Sequence, residues 1–301
     1  MVAAVPTVSV CIPTFNRGAT LANAIASAQA QTYTDLEILV VDNHSSDSTE
    51  AVVRKAASID RRIRFVRQAE NIGLARNFSA CIAAAHGQYI KFLCDDDLLE
   101  PQCVATLLEA FSPGGVVLSA CARQMVDHAL RSVRVVGTRR RAALIDSATM
   151  VRELFVRGNT VGEPTAVLFR RSDAARGFDA RYEHALDLEM WCHLLRRGAL
   201  AFVPEPLCRV RLHTAQATRD NIHAGRIIED KQRLFREMLP TLAGSLSRPE
   251  RWRWDLRMAS SLGRTRAVGA RADAKAVSEV FHPRLFRAMV PLATVAWSVA
   301  R

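Results

Sequence analysis

The sequence predicts an α/β protein with a mostly parallel sheet flanked by helices and a helical carboxy-terminal extension. Over roughly the first 110 residues, short apolar runs alternate with stretches rich in helix formers. Such alternation with short connections is typical of parallel strands joined by crossover helices. After residue 213 the pattern becomes purely helical. We therefore expect a domain over 1–215, with halves 1–111 and 112–215, and a basic helical region over 216–301.

The first half contains four predicted strands. Each is a short apolar run bounded by polar or turn-forming residues, the pattern of a buried strand. The strands are Thr7–Ile12, Leu36–Val41, Ile63–Val66 and Tyr89–Leu93. Helices are predicted between them at Ala19–Thr32, at Thr49–Ala57 and from Asn71 to Ala85. No Walker-type loop and no G-x-G-x-x-G follows the first strand, so bound phosphates would need carboxylates and a metal instead.

The second half is less regular. The predicted elements are a β-like stretch over Val116–Val136, a helix over Asp146–Arg157, a strand over Thr165–Phe169, a short helix from Arg170 to Asp173, a helix from Asp187 to Arg197, and strands at Ala201–Val203 and Leu207–Leu212. Three further helices are predicted at Ile222–Leu239, Arg248–Arg271 and Ala272–Arg301. Pro249 and Pro283 are placed to begin the last two.

Composition limits the kind of protein. Of 301 residues, 49% are hydrophobic and 24% charged, which is ordinary for a globular protein. The 41 Lys and Arg against 30 Asp and Glu give a net charge of +11, so an anionic partner is expected: nucleic acid, membrane surface or phosphorylated substrate. Seven cysteines without a C-x-x-C pair favour reduced thiols in the cytoplasm over a zinc module.

No targeting or membrane-spanning segment is predicted. The amino terminus lacks a basic leader and a cleavage site, so we expect no signal peptide. The apolar stretch Ala288–Ala300 is interrupted by Pro291 and is shorter than the about 20 residues needed to span a bilayer. We expect a cytoplasmic protein, with peripheral contact to the inner membrane face as a further option.

Three consecutive carboxylates, Asp95, Asp96 and Asp97, follow the strand Tyr89–Leu93. In open α/β sheets, ligands bind at the carboxyl ends of the strands. Adjacent carboxylates repel one another, and compact hard oxygen ligands suit Mg²⁺ or Mn²⁺. Locally, a metal site and a solvated turn before the next helix are both consistent with this pattern. Asp42 also ends a buried strand, where a carboxylate can accept hydrogen bonds from a base or ribose.

Seven segments in order resemble glycosyltransferase family 2, whose members are inverting enzymes with the GT-A fold. They are VSVCIPTFNR, EILVVDNHSSDST, ENIGLARN, KFLCDDDLLEP, GEPTAVLFRR, GFDARYEHALDLEMWCHLLRRG and VRLH, spanning Thr7 to His213. Two positions depart from the common pattern: Cys94 stands where the metal motif often has an acid, and Leu186 where Glu often precedes the base.

The resemblance implies a role for each matched residue. It places Pro13, Thr14, Asn16 and Asp42 at the nucleoside, Asn71 and Arg76 at nucleotide or phosphate, Asp96 with Asp95 at a divalent metal (Mn²⁺ or Mg²⁺), Asp97 near the sugar or acceptor, His213 near the diphosphate or metal, and Asp187 as catalytic base. From the residues alone, the favoured role of Asp187 is to cap its helix, and that of His213 is an ordinary strand-end histidine with a hydrogen-bond partner. Glu189 is a competing base, expected to face solvent or pair with Arg196 or Arg197.

The implied function is transfer of a sugar from a nucleoside diphosphate, most often UDP, to a hydroxyl of a saccharide or polyprenyl-linked acceptor in cell-surface polysaccharide synthesis. The alternatives are a nucleotidyltransferase and a non-catalytic sugar-nucleotide-binding protein. Nucleic acid is not expected as a partner, because carboxylates at the strand ends would repel its phosphates.

The basic tail admits two interpretations. Between Arg248 and Arg271 there are seven arginines, with Trp252 and Trp254 among them. Basic residues with aromatic anchors suit an anionic membrane surface. Alternatively, the helices form a cap whose apolar stripe packs on the catalytic domain and whose arginines are solvated.

Overall fold

The computed structural model describes residues 6–212, 226–242, 246–267 and 283–299. These fall into two compact units. The first comprises Met1–Met150, Asn159–Asp179 and Met190–His213, and the second comprises Val151–Gly158, Ala180–Glu189 and Thr214–Arg301. The domain boundary expected after residue 215 stays a prediction.

The first unit contains a sheet whose amino-terminal half is parallel. Its strands are β1 (Val8–Thr14), β2 (Leu36–Asp42), β3 (Ile63–Arg67) and β4 (Tyr89–Phe92), in the spatial order β3-β2-β1-β4. Helices α1 (Gly18–Gln29), α2 (Thr49–Ala57) and α3 (Leu74–Ala84) connect them. The chain reverses direction across the sheet between β3 and β4, so the carboxyl ends of β1 and β4 lie at a topological switch point.

The remaining strands of the first unit extend the same sheet. They are β5 (Leu98–Leu99), β6 (Val116–Val126), β7 (Ser132–Val136), β8 (Ala143–Ile145), β9 (Val167–Arg170) and β10 (Ala199–Arg211), with helix α4 (Cys103–Glu109) between β5 and β6. Beyond β4 the order is β9-β6-β10-β5, with β7 paired to β6 and β8 to β10. Strand β9 is antiparallel to both β4 and β6. Short 3₁₀ turns at Pro164–Ala166 and Arg171–Ala174 flank β9.

Strand β10 corrects the sequence prediction. Two separate strands were expected, Ala201–Val203 and Leu207–Leu212, but the chain pairs with β6 continuously from Ala199 to Arg211. The register shifts on both sides of Pro206. Proline is tolerated in a strand at such irregularities because no ladder hydrogen bond is lost there.

The core explains why the first strands are so apolar. Every residue of β1 and β2 is buried, as expected for parallel strands covered on both faces. Leu21 and Ile25 of α1 belong to the same buried cluster.

All seven cysteines are free thiols, and six of them are buried, so the expectation of unpaired cysteines is met.

The second unit is helical. Helices α5 (Ser147–Arg157) and α6 (Leu186–Leu195) contribute parts of their length, followed by α7 (Arg226–Leu242), α8 (Arg248–Ala267) and α9 (Pro283–Val299). The predicted tail helices had other bounds, and their residues 222–225, 268–282, 300 and 301 lie outside the described residues. Phe155, Phe235 and Trp254 stack with centroids 4.3–5.4 Å apart.

The apolar stripe of the tail packs within this unit. Trp254, Phe286 and Val290 are at most 6% exposed, whereas Trp252 is 46% exposed. The interpretation of the tail as a cap on the catalytic domain stays a prediction. Within the described ranges, every helix is too short or too polar to cross a bilayer.

Candidate active site

The loop after β1 is tied to the loop after β2. Pro13 and Thr14 are buried at the end of β1, where Thr14 lies opposite Asp42. Asn16 has a φ of +52°, a left-handed conformation that Asn adopts more readily than most residues. The side-chain Oδ1 of Asn16 accepts a 2.8 Å hydrogen bond from the Ser46 backbone amide. The backbone amide of Asn16 donates to Ser45 Oγ at 2.8 Å. These bonds hold both loops at the carboxyl edge of the sheet.

Asp42 is a completely buried carboxylate at the end of β2. Its Oδ1 accepts hydrogen bonds from the amide and hydroxyl of Ser45. Its Oδ2 receives no hydrogen bond from the described residues and lies 3.7 Å from Nε of Arg67. A buried carboxylate oxygen with spare accepting capacity is costly unless a ligand or water satisfies it. Asp42 can therefore accept a hydrogen bond from a bound molecule.

Asn43 joins the β2 loop to the segment before α3. Its Nδ2 donates to Asn71 Oδ1 at 2.8 Å, and its Oδ1 accepts the Ile72 amide at 2.9 Å. Arg76 is exposed on the first turn of α3. Sequence reasoning missed Asn43 because its partners lie 28 and 29 residues further along the chain.

The three carboxylates belong to a tight turn, Cys94–Asp97, called here the acidic turn. The Asp97 amide donates to the Cys94 carbonyl at 3.1 Å. Thr165 Oγ1 accepts the Cys94 amide at 3.0 Å and donates to Asp97 Oδ2 at 2.5 Å. The ammonium group of Lys91, which is completely buried, donates to the carbonyls of Phe92 and Thr165. One threonine hydroxyl thus fixes both ends of the acidic turn.

Arg211 at the end of β10 closes the other side of this turn. Its amide donates to Asp97 Oδ1 at 2.9 Å, and its Nε donates to the Asp96 carbonyl at 3.0 Å. Its guanidinium also donates to the His128 carbonyl. Asp97 is 3% exposed, and both of its carboxylate oxygens are used within the protein. Asp97 is therefore the member of the acidic turn that holds its shape.

Burial and crowding make ionisation of the carboxyl groups in the acidic turn unfavourable. Burial, reinforced by the charge of Asp96, raises the pKa of Asp95 to about 7, against the opposing influence of the Thr14 hydroxyl and Arg17. Burial and Asp96 likewise raise the pKa of Asp97 to about 8. The Arg17 guanidinium lies 4.0 Å from the Asp96 carboxylate. A bound cation would relieve this unfavourable ionisation.

The residues present fit a divalent ion that is only partly held by the protein. Asp95 and Asp96 supply hard carboxylate oxygens, the ligand type that Mg²⁺ and Mn²⁺ prefer. In the part of the chain that the structure describes, no three His, Cys, Asp or Glu side chains form a complete metal-binding group. His213 lies outside the described residues. Mg²⁺ commonly binds through one or two carboxylates and completes its shell with substrate phosphates and water.

Asp187 belongs to the second unit. Helix α6 begins at Leu186, so Asp187 lies within the first turn rather than at the capping position. Its Oδ1 accepts a 2.7 Å hydrogen bond from the Leu188 amide. Glu189 is only 8% exposed, so of the two expected alternatives the solvent-facing one is wrong, while pairing with Arg196 or Arg197 stays a prediction.

The family model for glycosyl transferase family 2 matches residues 9–178, which is more than half of the chain. The chain belongs to glycosyl transferase family 2. This confirms the family expected from the ordered motifs, and the protein is a glycosyltransferase.

Curated proteins similar to this glycosyltransferase include a longer and a shorter match. An uncharacterized protein of Mycobacterium tuberculosis (strain CDC 1551 / Oshkosh) is 33% identical over 241 residues, covering 76% of this chain and 75% of the relative. A GalNAc(5)-diNAcBac-PP-undecaprenol beta-1,3-glucosyltransferase of Campylobacter jejuni is 40% identical over 110 residues, covering 36% of each chain.

Solved structures share its fold at low identity. Residues 1-349 of Staphylococcus aureus TarS, in complex with UDP-GlcNAc, align with a TM-score of 0.65 and 15% identity over 96% of this chain and 80% of that one. The mannosyltransferase PcManGT of Pyrobaculum calidifontis, with GDP-Man and Mn²⁺, aligns with a TM-score of 0.61 and 17% identity over 99% and 86%. The expected GT-A fold is confirmed.

In this family 2 glycosyltransferase, most of the residues singled out from sequence lie in the first unit. The loops after β1, β2 and β4 carry Pro13, Thr14, Asn16, Asp42, Asp95, Asp96 and Asp97, while Asn71 and Arg76 lie at the start of α3. Hydrogen bonds or ion pairs connect the β1 loop to both of the others. Sequence reasoning missed Thr165 and Arg211, which hold the acidic turn from 68 and 114 residues away.

Proposed function

We propose that this glycosyltransferase moves a sugar, with inversion, from a nucleoside diphosphate to a hydroxyl group of a saccharide or polyprenyl-linked acceptor. The observation that carries the proposal is the presence, at the carboxyl edge of the sheet, of a buried acceptor oxygen on Asp42 and of the crowded carboxyl groups Asp95–Asp97, whose ionisation is unfavourable without a cation. The first suits a nucleoside, and the second suits a cation that binds its diphosphate.

The nucleoside is proposed to lie against the ends of β1 and β2. There Asp42 Oδ2 can accept a hydrogen bond from a base N–H or a ribose hydroxyl. Pro13, Thr14 and Asn16 would line the pocket, and Asn71 and Arg76 would contact the nucleotide or its phosphates. The TarS neighbour was solved with UDP-GlcNAc, which supports UDP as the nucleotide.

The diphosphate is proposed to be bound through a divalent ion held by Asp95 and Asp96, with His213 as a further contact. Bound there, the ion would supply positive charge for the diphosphate as it departs. The Mn²⁺ of the mannosyltransferase neighbour supports this use of a metal. The protein's own residues maintain the shape of the acidic turn. Thr165 and Arg211 each donate a hydrogen bond to the Asp97 carboxyl group.

The acceptor hydroxyl is proposed to lose its proton to Asp187. An alcohol is a weak nucleophile, and a positioned carboxylate that removes its proton contributes roughly 10²–10⁴-fold to the rate. Because the mechanism is inverting, one displacement suffices and no covalent sugar–enzyme bond forms. Glu189 is the alternative base.

The acceptor class is proposed to be cell-surface saccharide. The name of the Campylobacter relative specifies an undecaprenol-linked saccharide acceptor, which supports a lipid-linked acceptor here. Such an acceptor would place the protein at the cytoplasmic face of a membrane, with the exposed Arg248, Trp252 and Arg253 of α8 proposed for peripheral contact.

A donor panel tests this function directly. UDP-, GDP- and dTDP-sugars would be incubated with Mn²⁺ or with EDTA, and release of nucleoside diphosphate would be measured. We expect release from one UDP-sugar, stopped by EDTA and by Asp96→Asn. Asp42→Asn should weaken nucleotide binding, and Asp187→Asn should bind donor normally but lose transfer to acceptor.

The matched control is Glu109→Gln on α4, which removes an exposed carboxylate of the first unit that has no role in the proposal. It should match the wild-type protein. Full activity of Asp96→Asn in EDTA would remove the metal from the mechanism, and wild-type transfer by Asp187→Asn would transfer the base assignment to another residue.

A further inference from the structure

A single carboxylate oxygen on α7 receives three consecutive backbone amides. Oδ2 of Asp230 accepts hydrogen bonds from Glu183 at 3.0 Å, His184 at 2.6 Å and Ala185 at 2.9 Å. Asp230 is 3% exposed. Burying a carboxylate is unfavourable unless it is hydrogen-bonded, and here three donors satisfy it. The arrangement fixes the backbone of residues 183–185 to α7.

The same face of α7 holds the preceding residues. Asp230, Arg233 and Glu237 lie at positions i, i+3 and i+7, which share one side of a helix. The Arg233 guanidinium lies 5.4 Å from the centroid of the Tyr182 ring and donates to the Arg181 carbonyl. Glu237 accepts the Tyr182 hydroxyl at 3.1 Å and pairs with Arg181 at 3.0 Å. Three side chains of α7 therefore contact the segment 181–185.

This segment directly precedes α6. The helix starts at Leu186, so Ala185 occupies the capping position, where alanine has no side-chain acceptor. A negative charge near a helix amino terminus is favourable, because the amides there are unpaired and the helix dipole is positive. Asp230 supplies that charge from 45 residues further along the chain. Asp187 follows Ala185 by two residues.

We propose that Asp230, supported by Arg233 and Glu237, is a positioning residue that sets the location of the Asp187 carboxylate. The inference rests on the proposed role of Asp187 as base. A proton acceptor must lie within hydrogen-bond reach of the hydroxyl that it deprotonates, and a displacement of about 1 Å can cost about 10²-fold in rate. The carboxy-terminal helices are thus part of the catalytic apparatus.

The test compares Asp230→Ala, Asp230→Asn and Glu229→Ala. The first removes the acceptor, the second keeps one neutral acceptor oxygen in place, and the third removes an exposed carboxylate from the neighbouring position of α7. We expect kcat for transfer to fall about 10–100-fold in the alanine variant, with the donor KM unchanged within about twofold. Asparagine should restore part of the loss, and Glu229→Ala should resemble the wild type.

A second measurement, hydrogen exchange, tests the hydrogen bonds between Asp230 and residues 183–185 directly. Hydrogen exchange of the amides of Glu183, His184 and Ala185 should accelerate in Asp230→Ala and Asp230→Asn and stay protected in Glu229→Ala. If the alanine variant does not fold, the asparagine variant decides, since it retains the size of the side chain. A purely structural role would lower the melting temperature but leave kcat per folded molecule unchanged.

The outcomes separate this inference from the proposed function. Wild-type kcat in a folded Asp230 variant whose amides exchange faster would overturn the positioning role, even while Asp187→Asn stays inactive. Wild-type transfer by Asp187→Asn would instead remove the base itself, whatever Asp230 does. Loss of kcat in both the Asp230 and the Asp187 variants, with the donor KM unchanged, supports the positioning role of Asp230 and the base role of Asp187.

Discussion

The hydroxyl of Thr165 donates a 2.5 Å hydrogen bond to Oδ2 of Asp97. The same hydroxyl accepts the Cys94 amide at 3.0 Å, and Thr165 is completely buried. Because Cys94 and Asp97 are the two ends of the acidic turn, one side chain from the 3₁₀ turn before β9 determines the shape of a loop between β4 and β5.

Thr165→Val should weaken both stability and metal use. Valine has nearly the shape of threonine but no hydroxyl, so the Cys94 amide and Asp97 each lose a buried partner. Loss of a hydrogen bond to a charged group costs about 1.5–3 kcal/mol in the free energy of unfolding. We expect that loss in urea unfolding, together with a several-fold higher Mn²⁺ concentration for half-maximal activity. Thr165→Ser, which keeps the hydroxyl, is the control; equal behaviour of Val and Ser would contradict the role of this bond.

The metal-free protein should become less stable as the pH rises through neutrality. Burial and the charge of Asp96 raise the pKa of Asp95 from 3.8 to about 7 and that of Asp97 to about 8. The folded state thus holds these protons more tightly than the unfolded state. Their stabilising contribution is complete below pH 3.8 and is lost as the pH rises through about 7 and 8.

Thermal unfolding in EDTA at a series of pH values measures this effect. Asp95→Asn should flatten the fall in melting temperature, because the amide does not titrate. Mn²⁺ should raise the melting temperature more at pH 8 than at pH 5.5, since protons compete with the ion for the carboxylates. An identical pH dependence in wild type and Asp95→Asn would show that this carboxyl does not titrate in the window.

Glu37 should matter for stability but not for donor binding. This buried carboxylate lies near the amino end of β2, accepts the Ser9 hydroxyl at 2.5 Å and the His86 amide at 2.6 Å, and pairs with Arg64. Removing one partner of such a network costs about 3–5 kcal/mol. Glu37→Ala should therefore lower the urea midpoint strongly, while the Kd for UDP of the folded protein stays unchanged. A weaker Kd at full folding would show that this end of the sheet influences the nucleotide site.

Trp254 and Trp252 should respond very differently to replacement. Trp254 is 5% exposed and stacks on Phe155 at 4.3 Å and 8°, so Trp254→Ala should cost about 3–5 kcal/mol. Trp252 is 46% exposed, and Trp252→Ala should change stability by about 0.5 kcal/mol or less. Urea unfolding gives both values, and similar losses would contradict the packing described.

The same pair tests membrane contact. In flotation with anionic vesicles, peripheral binding through α8 predicts that Trp252→Ala floats less than the wild type. Equal flotation of the two proteins, or none by either, removes Trp252 as a membrane anchor.

Local pattern was sufficient for the parallel half of the sheet. Strands β1 to β4 are apolar runs separated by short helices. The acidic residues at the ends of β2 and β4 could be identified because they directly follow these runs in the sequence. The family followed from motifs that are continuous in sequence. Each of these signals is contained within a window of about ten to twenty residues, where periodicity is informative.

Long-range contacts were not accessible in this way. The sequence predicted two strands where the structure has β10, because proline ordinarily ends a strand. The register shifts on both sides of Pro206 accommodate this proline within one strand. Glu189 was expected to face solvent or to pair with Arg196 or Arg197, and the solvent-facing alternative failed because the side chain is buried. Thr165, Arg211 and Asp230 gave no local signal, since each acts on residues 45 or more positions away.

The attachment of residues 183–185 to α7 restricts how enzymes of this kind can be recombined. A hybrid joined after β10 would keep its own Asp187 but receive a foreign helix to hold it. A hybrid that exchanges acceptor preference with a relative should therefore take the segment 181–187 and α7 from the same parent protein.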